Sequence, residues 1–122
     1  MAKKILIVDD EPNIVISLEF LMKKEGFEVA VANDGDEALA MVASTNPDLL
    51  LLDVMMPKKS GFEVCEALRA DPGRAGLKII MLTAKGRDTE MAKGLAIGAD
   101  AYVTKPFSTK DLVNKVKEIL AV

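Results

Sequence analysis

The chain has no histidine and no tryptophan, and only one cysteine and one tyrosine among its 122 residues. Without histidine there is no imidazole to act as a general base or metal ligand, and the chain can form no phosphohistidine of its own. Any metal must be held by oxygens. The single cysteine, Cys65, excludes an internal disulfide, and its helical apolar neighbours mark it as a small buried hydrophobe. A basic excess is also lacking. Lys and Arg number 16 against 19 Asp and Glu, a net charge of -3, and no Lys/Arg cluster with stacking aromatics offers a nucleic-acid surface. The apolar run Ile5 to Val8 after Lys3 and Lys4 is too short for a signal-peptide core, and no run reaches membrane-spanning length. These absences predict a cytoplasmic protein that contacts neither nucleic acid nor membrane directly.

Hydrophobic residues make up 50% of the chain and charged residues 29%, far from the composition of disorder, and the length suits one domain over residues 1–122. Short apolar runs at Ile5 to Val8, Leu49 to Leu52, Ile79 to Leu82 and Ala101 to Val103 have the length of buried strands. The milder Val29 to Ala32, with smaller side chains after Glu28, reads as an edge strand. Helical spacing fills the intervals. Pro12 opens a helix over about 12–25 that Gly26 stops. Asp34 with Glu37, Ser60 with Glu63, and Ser108 with Asp111 read as capping pairs that open three more, and Asn46-Pro47 ends the first of these. A further helix is predicted around Asp88 to Ile97, closed by Gly98. Strand then helix, five times, with connections too long for hairpins, predicts a single doubly wound α/β domain with a parallel five-stranded sheet.

Ligands of such sheets bind beyond the carboxyl ends of the strands, where the strand order reverses. Strand one here ends in Asp9 and Asp10, strand three in Asp53, strand four in Thr83, and strand five runs into Lys105-Pro106. In the common order 2-1-3-4-5, strands one and three are neighbours, so Asp10 and Asp53 lie about one strand spacing apart, roughly 5 Å. Three crowded carboxylates without histidine suit a hard cation such as Mg²⁺, which typically keeps waters and shares its coordination with phosphate. Thr83 supplies a hydroxyl donor and Lys105 a point charge at the same edge. The set predicts phosphoryl chemistry, in which positioning and charge neutralisation are most of what is required.

These residues resemble the receiver domain of bacterial two-component response regulators over essentially the whole chain. The likeness rests on Ile5-Leu6-Ile7-Val8-Asp9-Asp10, on Leu51-Leu52-Asp53-Val54-Met55-Met56-Pro57 with Gly61, on Thr83-Ala84, and on the stretch from Gly98 through Lys105-Pro106-Phe107. The flavodoxin-like order 2-1-3-4-5 is the family's own, so it is not an independent inference. The resemblance implies that Asp53 is the phosphoacceptor, Asp10 a direct Mg²⁺ ligand, Asp9 a ligand through water and Met55 a ligand through its backbone carbonyl, with Mn²⁺ able to substitute. Thr83 and Lys105 would bind phosphoryl oxygens. The donor would be a histidine kinase or histidine phosphotransfer protein, and the reader a downstream protein or an appended effector domain. Such a domain is no conventional enzyme, although it assists its own phosphorylation and dephosphorylation. Thr83 and Tyr102 would form the switch, acting on the surface of the fourth helix, fifth strand and fifth helix. The family holds the bond between Lys105 and Pro106 cis. Relatives differ in phosphoryl lifetime at the positions of Met55 and Lys85. Many DNA-binding relatives pair through charges on the switch face, often with two acids before the aromatic. Ala101 after Asp100 argues against a symmetric dimer of that kind, so a monomer, or a weak dimer once phosphorylated, is expected.

Taken singly, each residue has a blander reading. Asp9 and Asp10 could cap the first helix, Asp53 could serve a turn, Thr83 could cap, Lys105 could be a solvated charge and Tyr102 could simply pack. Met55, Met56, Met81 and Met91 read as core or loop filler, and Lys23, Lys24, Lys58 and Lys59 as solvated charges. Only the convergence of the set at one sheet edge points to a phosphoryl site. A phosphatase of the haloacid dehalogenase kind would need a second acid where Met55 stands. A flavodoxin would need a phosphate cradle where Asp9-Asp10-Glu11 stands. A receiver-shaped module that works without phosphorylation would typically have lost an acid, the threonine or the lysine, and none is lost here.

Overall fold

A computed structural model describes residues 2–54, 60–74, 76–84, 98–105 and 107–122. Its strands are Lys4–Val8 (β1), Glu28–Ala32 (β2), Leu49–Asp53 (β3), Lys78–Ala84 (β4) and Ala101–Lys105 (β5). Its helices are Pro12–Lys24 (α1), Gly35–Thr45 (α2), Gly61–Arg69 (α3) and the C-terminal helix Thr109–Leu120, with a 3₁₀ turn at Pro72–Arg74. All strand pairs are parallel, as the strand-helix alternation predicts, and the order is β2-β1-β3-β4-β5, as the resemblance implies. The predicted helix over Asp88 to Ile97 and the Lys105-Pro106 bond lie outside the described residues, as do Met55 and Lys85. β4 and β5 extend beyond their apolar runs because the ladder continues through Thr83 opposite Thr104 and Ala84 opposite Lys105. Backbone pairing needs no apolar side chain, so hydropathy alone under-measures both strands.

The sheet is covered on both faces, and the two-residue period of a strand decides which side chain meets which layer. Leu6, Val8, Leu50, Leu52, Ile79 and Met81 pack with Ala38 and Val42 of α2 and with Val64, Cys65 and Leu68 of α3. Ile5, Ile7, Leu49, Leu51, Ile80 and Leu82 pack with Val15, Leu18 and Met22 of α1 and with Leu112, Val113 and Val116 of the C-terminal helix. β3 sits centrally, with four successive leucines wholly buried. Burial pushes the Cys65 thiol up, opposed by the nearby Arg69 charge, which suits a core residue and not a reactive one. The predicted caps form: Asp34, Ser60 and Ser108 accept from the backbone N–H of Glu37, Glu63 and Asp111. Asn46 leaves α2 in the left-handed region at φ 50°, where asparagine is among the tolerated residues. Among the described residues no helix is long and apolar enough to cross a membrane.

Two aspartates close the amino-terminal edge of the sheet, a role that sequence reading did not assign. Asp48 accepts the backbone N–H of Lys4 at 2.8 Å, and Lys4 Nζ donates to the Thr45 carbonyl at 3.0 Å. Asp100 Oδ2 accepts the backbone N–H of Ile79 at 2.7 Å and Arg69 Nη2 at 2.8 Å. The same guanidinium donates from Nε to the Gly98 carbonyl and from Nη1 to the Leu77 carbonyl, both at 2.7 Å. One arginine at the end of α3 therefore ties the starts of β4 and β5 together, using the fixed fork of its donors. Asp100→Ala leaves a strand N–H and the guanidinium without this acceptor. A loss of about 2 kcal/mol is expected, read as a lower urea midpoint with unchanged slope.

Candidate functional site

At the carboxyl edge, the strand period sorts the polar residues as it sorts the core. Asp9, Asp53 and Lys105 continue the phase of Ile7, Leu51 and Val103, which face α1 and the C-terminal helix. Thr83 continues the phase of Met81, on the other face, and Tyr102 pairs with Met81 in register and packs into that same layer. Asp53 is the last residue of β3, and the ladder carries one step past it through Val54 N–H to the Leu82 carbonyl at 3.1 Å. The acid is therefore fixed at its backbone on both sides.

Carboxylate oxygens of Asp9, Asp10 and Asp53 lie within 4.8 Å of one another. Asp9 is wholly buried and Asp53 and Thr83 nearly so, whereas Asp10 is exposed. Lys105 reaches across the end of β4 to place Nζ 3.1 Å from Asp9 Oδ2 and 3.4 Å from Asp53 Oδ1. Asp9 Oδ1 in turn accepts the backbone N–H of Glu11 at 2.9 Å. The capping reading of Asp9 thus holds only in part: α1 has Glu11 as its N-cap with no side-chain cap bond, and Asp9 divides itself between that turn and the lysine. Both Asp9 oxygens are already engaged, while Asp10 is open to solvent.

Burial opposes the charge on Lys105, but its hydrogen bond to Asp9 and the charges of Asp53 and Asp9 outweigh that, and its pKa lies above the ordinary lysine value. Three carboxylates and one ammonium sum formally to 3 × (-1) + 1 = -2. An all-oxygen cluster with that residual charge is the donor set a hard divalent cation prefers, so the residues fit Mg²⁺.

The structure thus brings together Asp9, Asp10, Asp53 and Lys105, with Thr83 one residue beyond the register partner of Asp53 on β4. Met55 lies outside the described residues. Gly61 is a further member whose role sequence reading missed. Its N–H donates to the Val54 carbonyl at 2.9 Å, and a Cβ there would overlap the Asp53 carbonyl oxygen and stand 2.9 Å from Val54 Cα. The first turn of α3 thus presses directly on the backbone that carries Asp53. A glycine immediately after a serine cap, at a helical position where it costs stability, is the signal that could have exposed this contact.

The family model for the response regulator receiver domain matches residues 5–117, and the chain belongs to that family. A response regulator from Chloroflexus aurantiacus is similar at 38% identity, with full coverage of both chains and a TM-score of 0.96. The chemotaxis protein CheY4 of Vibrio cholerae is 32% identical, over 98% of this chain and 99% of its own, at a TM-score of 0.91. The receiver domain of a signal transduction histidine kinase from Syntrophus aciditrophicus is also 32% identical, over 98% and 91%, at 0.92. This is therefore a receiver domain of two-component signalling, a signalling domain and not a conventional enzyme, with an acidic cluster compatible with phosphoacceptance. Receiver domains generally bind Mg²⁺ at this acidic pocket, and the family works with histidine kinases or phosphotransfer proteins and with downstream targets.

Two outcomes follow from the geometry. In Gly61→Ala the added methyl must displace the Asp53–Val54 backbone, so phosphoryl labelling should slow by about 10–100-fold while the protein stays folded; a labelling rate equal to the parent's would contradict the contact. Because the folded pKa of Lys105 is raised, its stabilising charge is fully present below the unfolded value of about 10.4 and is lost as pH climbs through the folded value. In the presence of EDTA, urea midpoints of the parent and Lys105→Met should therefore differ at pH 7 to 9 and converge in stronger alkali.

Proposed function

We propose that Asp53 accepts a phosphoryl group from the phosphohistidine of a histidine kinase or phosphotransfer protein. One observation carries the reading: a nearly buried carboxylate at the end of the central strand is held against two further carboxylates and a lysine. In the transfer, an Asp53 oxygen forms a bond to phosphorus while the phosphorus–nitrogen bond of the donor breaks, its electron pair leaving with the imidazole. Bound Mg²⁺, or Mn²⁺ in its place, supplies charge neutralisation between the acids and the incoming phosphoryl oxygens. Asp10 and Asp53 would hold it directly, with the Met55 carbonyl, and Asp9 through water. Lys105, already at Asp53, pairs with a phosphoryl oxygen, and the Thr83 hydroxyl donates to another. Hydrolysis of the acyl phosphate, assisted by the same groups, resets the domain.

The readout proposed is the Thr83–Tyr102 pair. Both belong to the same face of the sheet and Tyr102 lies next to Thr83's own strand, which supports a movement of the aromatic ring when the hydroxyl is drawn toward the phosphoryl group. The surface affected would be the segment before β5, β5 itself and the C-terminal helix, presented to a downstream protein or appended effector domain. Reversing such a switch from 1:99 to 99:1 takes about 5.5 kcal/mol of preference for the active state. Residues 1–122 would act as one receiver unit in the cytoplasm, monomeric or weakly dimeric once phosphorylated.

Acetyl phosphate with Mg²⁺ should add one phosphoryl group, seen as a mass increase, and Asp53→Asn should abolish it. Full labelling of Asp53→Asn would sink the assignment, and so would an unlabelled parent with every donor tried.

A further inference from the structure

The sheet ends at β2, which pairs with β1 and with no other strand among the described residues. Glu28 N–H donates to the Lys3 carbonyl at 2.9 Å, and the Ala32 carbonyl accepts Asp9 N–H at 3.3 Å. In a parallel ladder, residues that bond to one neighbour alternate with residues that face away from it, so Glu28, Ala30 and Ala32 serve β1. The N–H and C=O groups of Val29 and Val31 therefore point to the free side. Natural edges are commonly protected by a charge, a proline or a bulge. Here the register with β1 is unbroken, the middle of the strand is Val29-Ala30-Val31, and its one charge, Glu28, stands at the start. The three central residues are half-buried, so another strand can reach them.

The flank of α1 beside this edge is apolar as well. At about 100° per residue, Leu21 and Ile16 lie on opposite sides of the direction in which Val15, Leu18 and Met22 enter the core. Leu21 lines the cleft toward the C-terminal helix, which leaves Ile16 on the side of β2. Ile16 is 64% exposed, and Phe20, one turn further along, is 70% exposed. Large apolar side chains in water beside an unpaired strand favour a partner that covers both.

The free edge is complementary to itself. When a second copy lies antiparallel about a two-fold axis at Ala30, Val29 of each copy faces Val31 of the other, and each such pair exchanges both of its N–H···O bonds. Every outward group of Val29 and Val31 is then used. Ala30 meets its own counterpart at the closely spaced position, where a methyl group permits the approach, and Glu28 falls opposite Ala32, so no like charges meet. The first helices of the two copies come side by side over the joined sheet, where Ile16 and Phe20 can cover one another. An extended peptide would bond to the strand but leave these two side chains in water.

We infer that β2 is a self-association edge, at which two copies of this chain join their sheets antiparallel through Val29 and Val31. The contact is small, so the association is weak. It calls on no group at Asp53 and adds to the unit proposed above a pairing that does not wait for phosphorylation.

Amide hydrogen exchange, followed by NMR on the full chain, is the test. Raising the concentration from about 20 µM to about 1 mM should slow exchange at Val29 and Val31 about threefold or more, while Ala30 and Ala32, already bonded to β1, change little. Sedimentation should move toward the dimer over the same range. Val31→Pro removes an outward N–H that takes no part in the ladder with β1, a position where an edge strand accepts proline. Ile16→Glu changes an exposed side chain. Each variant should move the monomer–dimer midpoint to a concentration about tenfold higher or more, with the parent's dispersed amide spectrum retained. None of these readings involves acetyl phosphate, so a failure of labelling at Asp53 leaves them untouched. The inference is overturned if exchange at Val29 and Val31 is independent of concentration, if either variant associates as the parent does, or if the dimer forms only with acetyl phosphate. It is equally overturned if an added valine-rich extended peptide protects these amides while the chain stays monomeric, since the occupant is then a partner's strand.

Discussion

Everything at the carboxyl edge depends on forcing three carboxylates together at the end of an apolar sheet. β1 and β3 are neighbours because their leucines and isoleucines must be covered on both faces, and that pairing carries Asp9, Asp10 and Asp53 to one place whether or not the charges favour it. Burial of Asp9 and Asp53 removes the water that would otherwise screen them. Lys105 supplies the protein's own partial answer, and its raised pKa records the strength of the surrounding negative field. Among the described residues the cluster keeps a formal negative charge beside Lys105, a composition that suits a hard cation.

The opposite edge uses the same residue type to the opposite end. Asp48 and Asp100 are engaged internally, by strand N–H groups and, for Asp100, by the Arg69 charge, so they fasten strands. The two edges differ in partners and not in composition. The N–H groups of Lys4 and Ile79 are held there by aspartates, and the Arg69 fork joins the starts of β4 and β5 at the edge opposite the acidic cluster.

The fold was legible because the apolar runs are unbroken and the capping residues are chemically explicit: Asp34, Ser60 and Ser108 each sit where the helix needs an acceptor. Asp9, Asp10, Asp53 and Lys105 were legible as a set because strand ends in a parallel sheet all point to one edge. What escaped was whatever depends on contact across long sequence separations. Asp53 follows its apolar run and Asp100 precedes one, but nothing local shows that Asp100 accepts from Ile79 and Arg69. The Arg69 fork joins residues up to 31 positions apart. That Lys105 reaches Asp9 as well as Asp53 required knowing that its stem crosses the end of β4.

Gly61 sets the mechanical character of the site. Where most helices meet a strand through side chains, which can change rotamer and absorb a displacement, α3 meets the end of β3 backbone to backbone. Such a junction leaves no side chain between the two elements to absorb a displacement. The absence of one methyl group lets the main chain of Asp53 and Val54 lie directly against the first turn of α3, so the position of that turn and the position of the Asp53 backbone are set together.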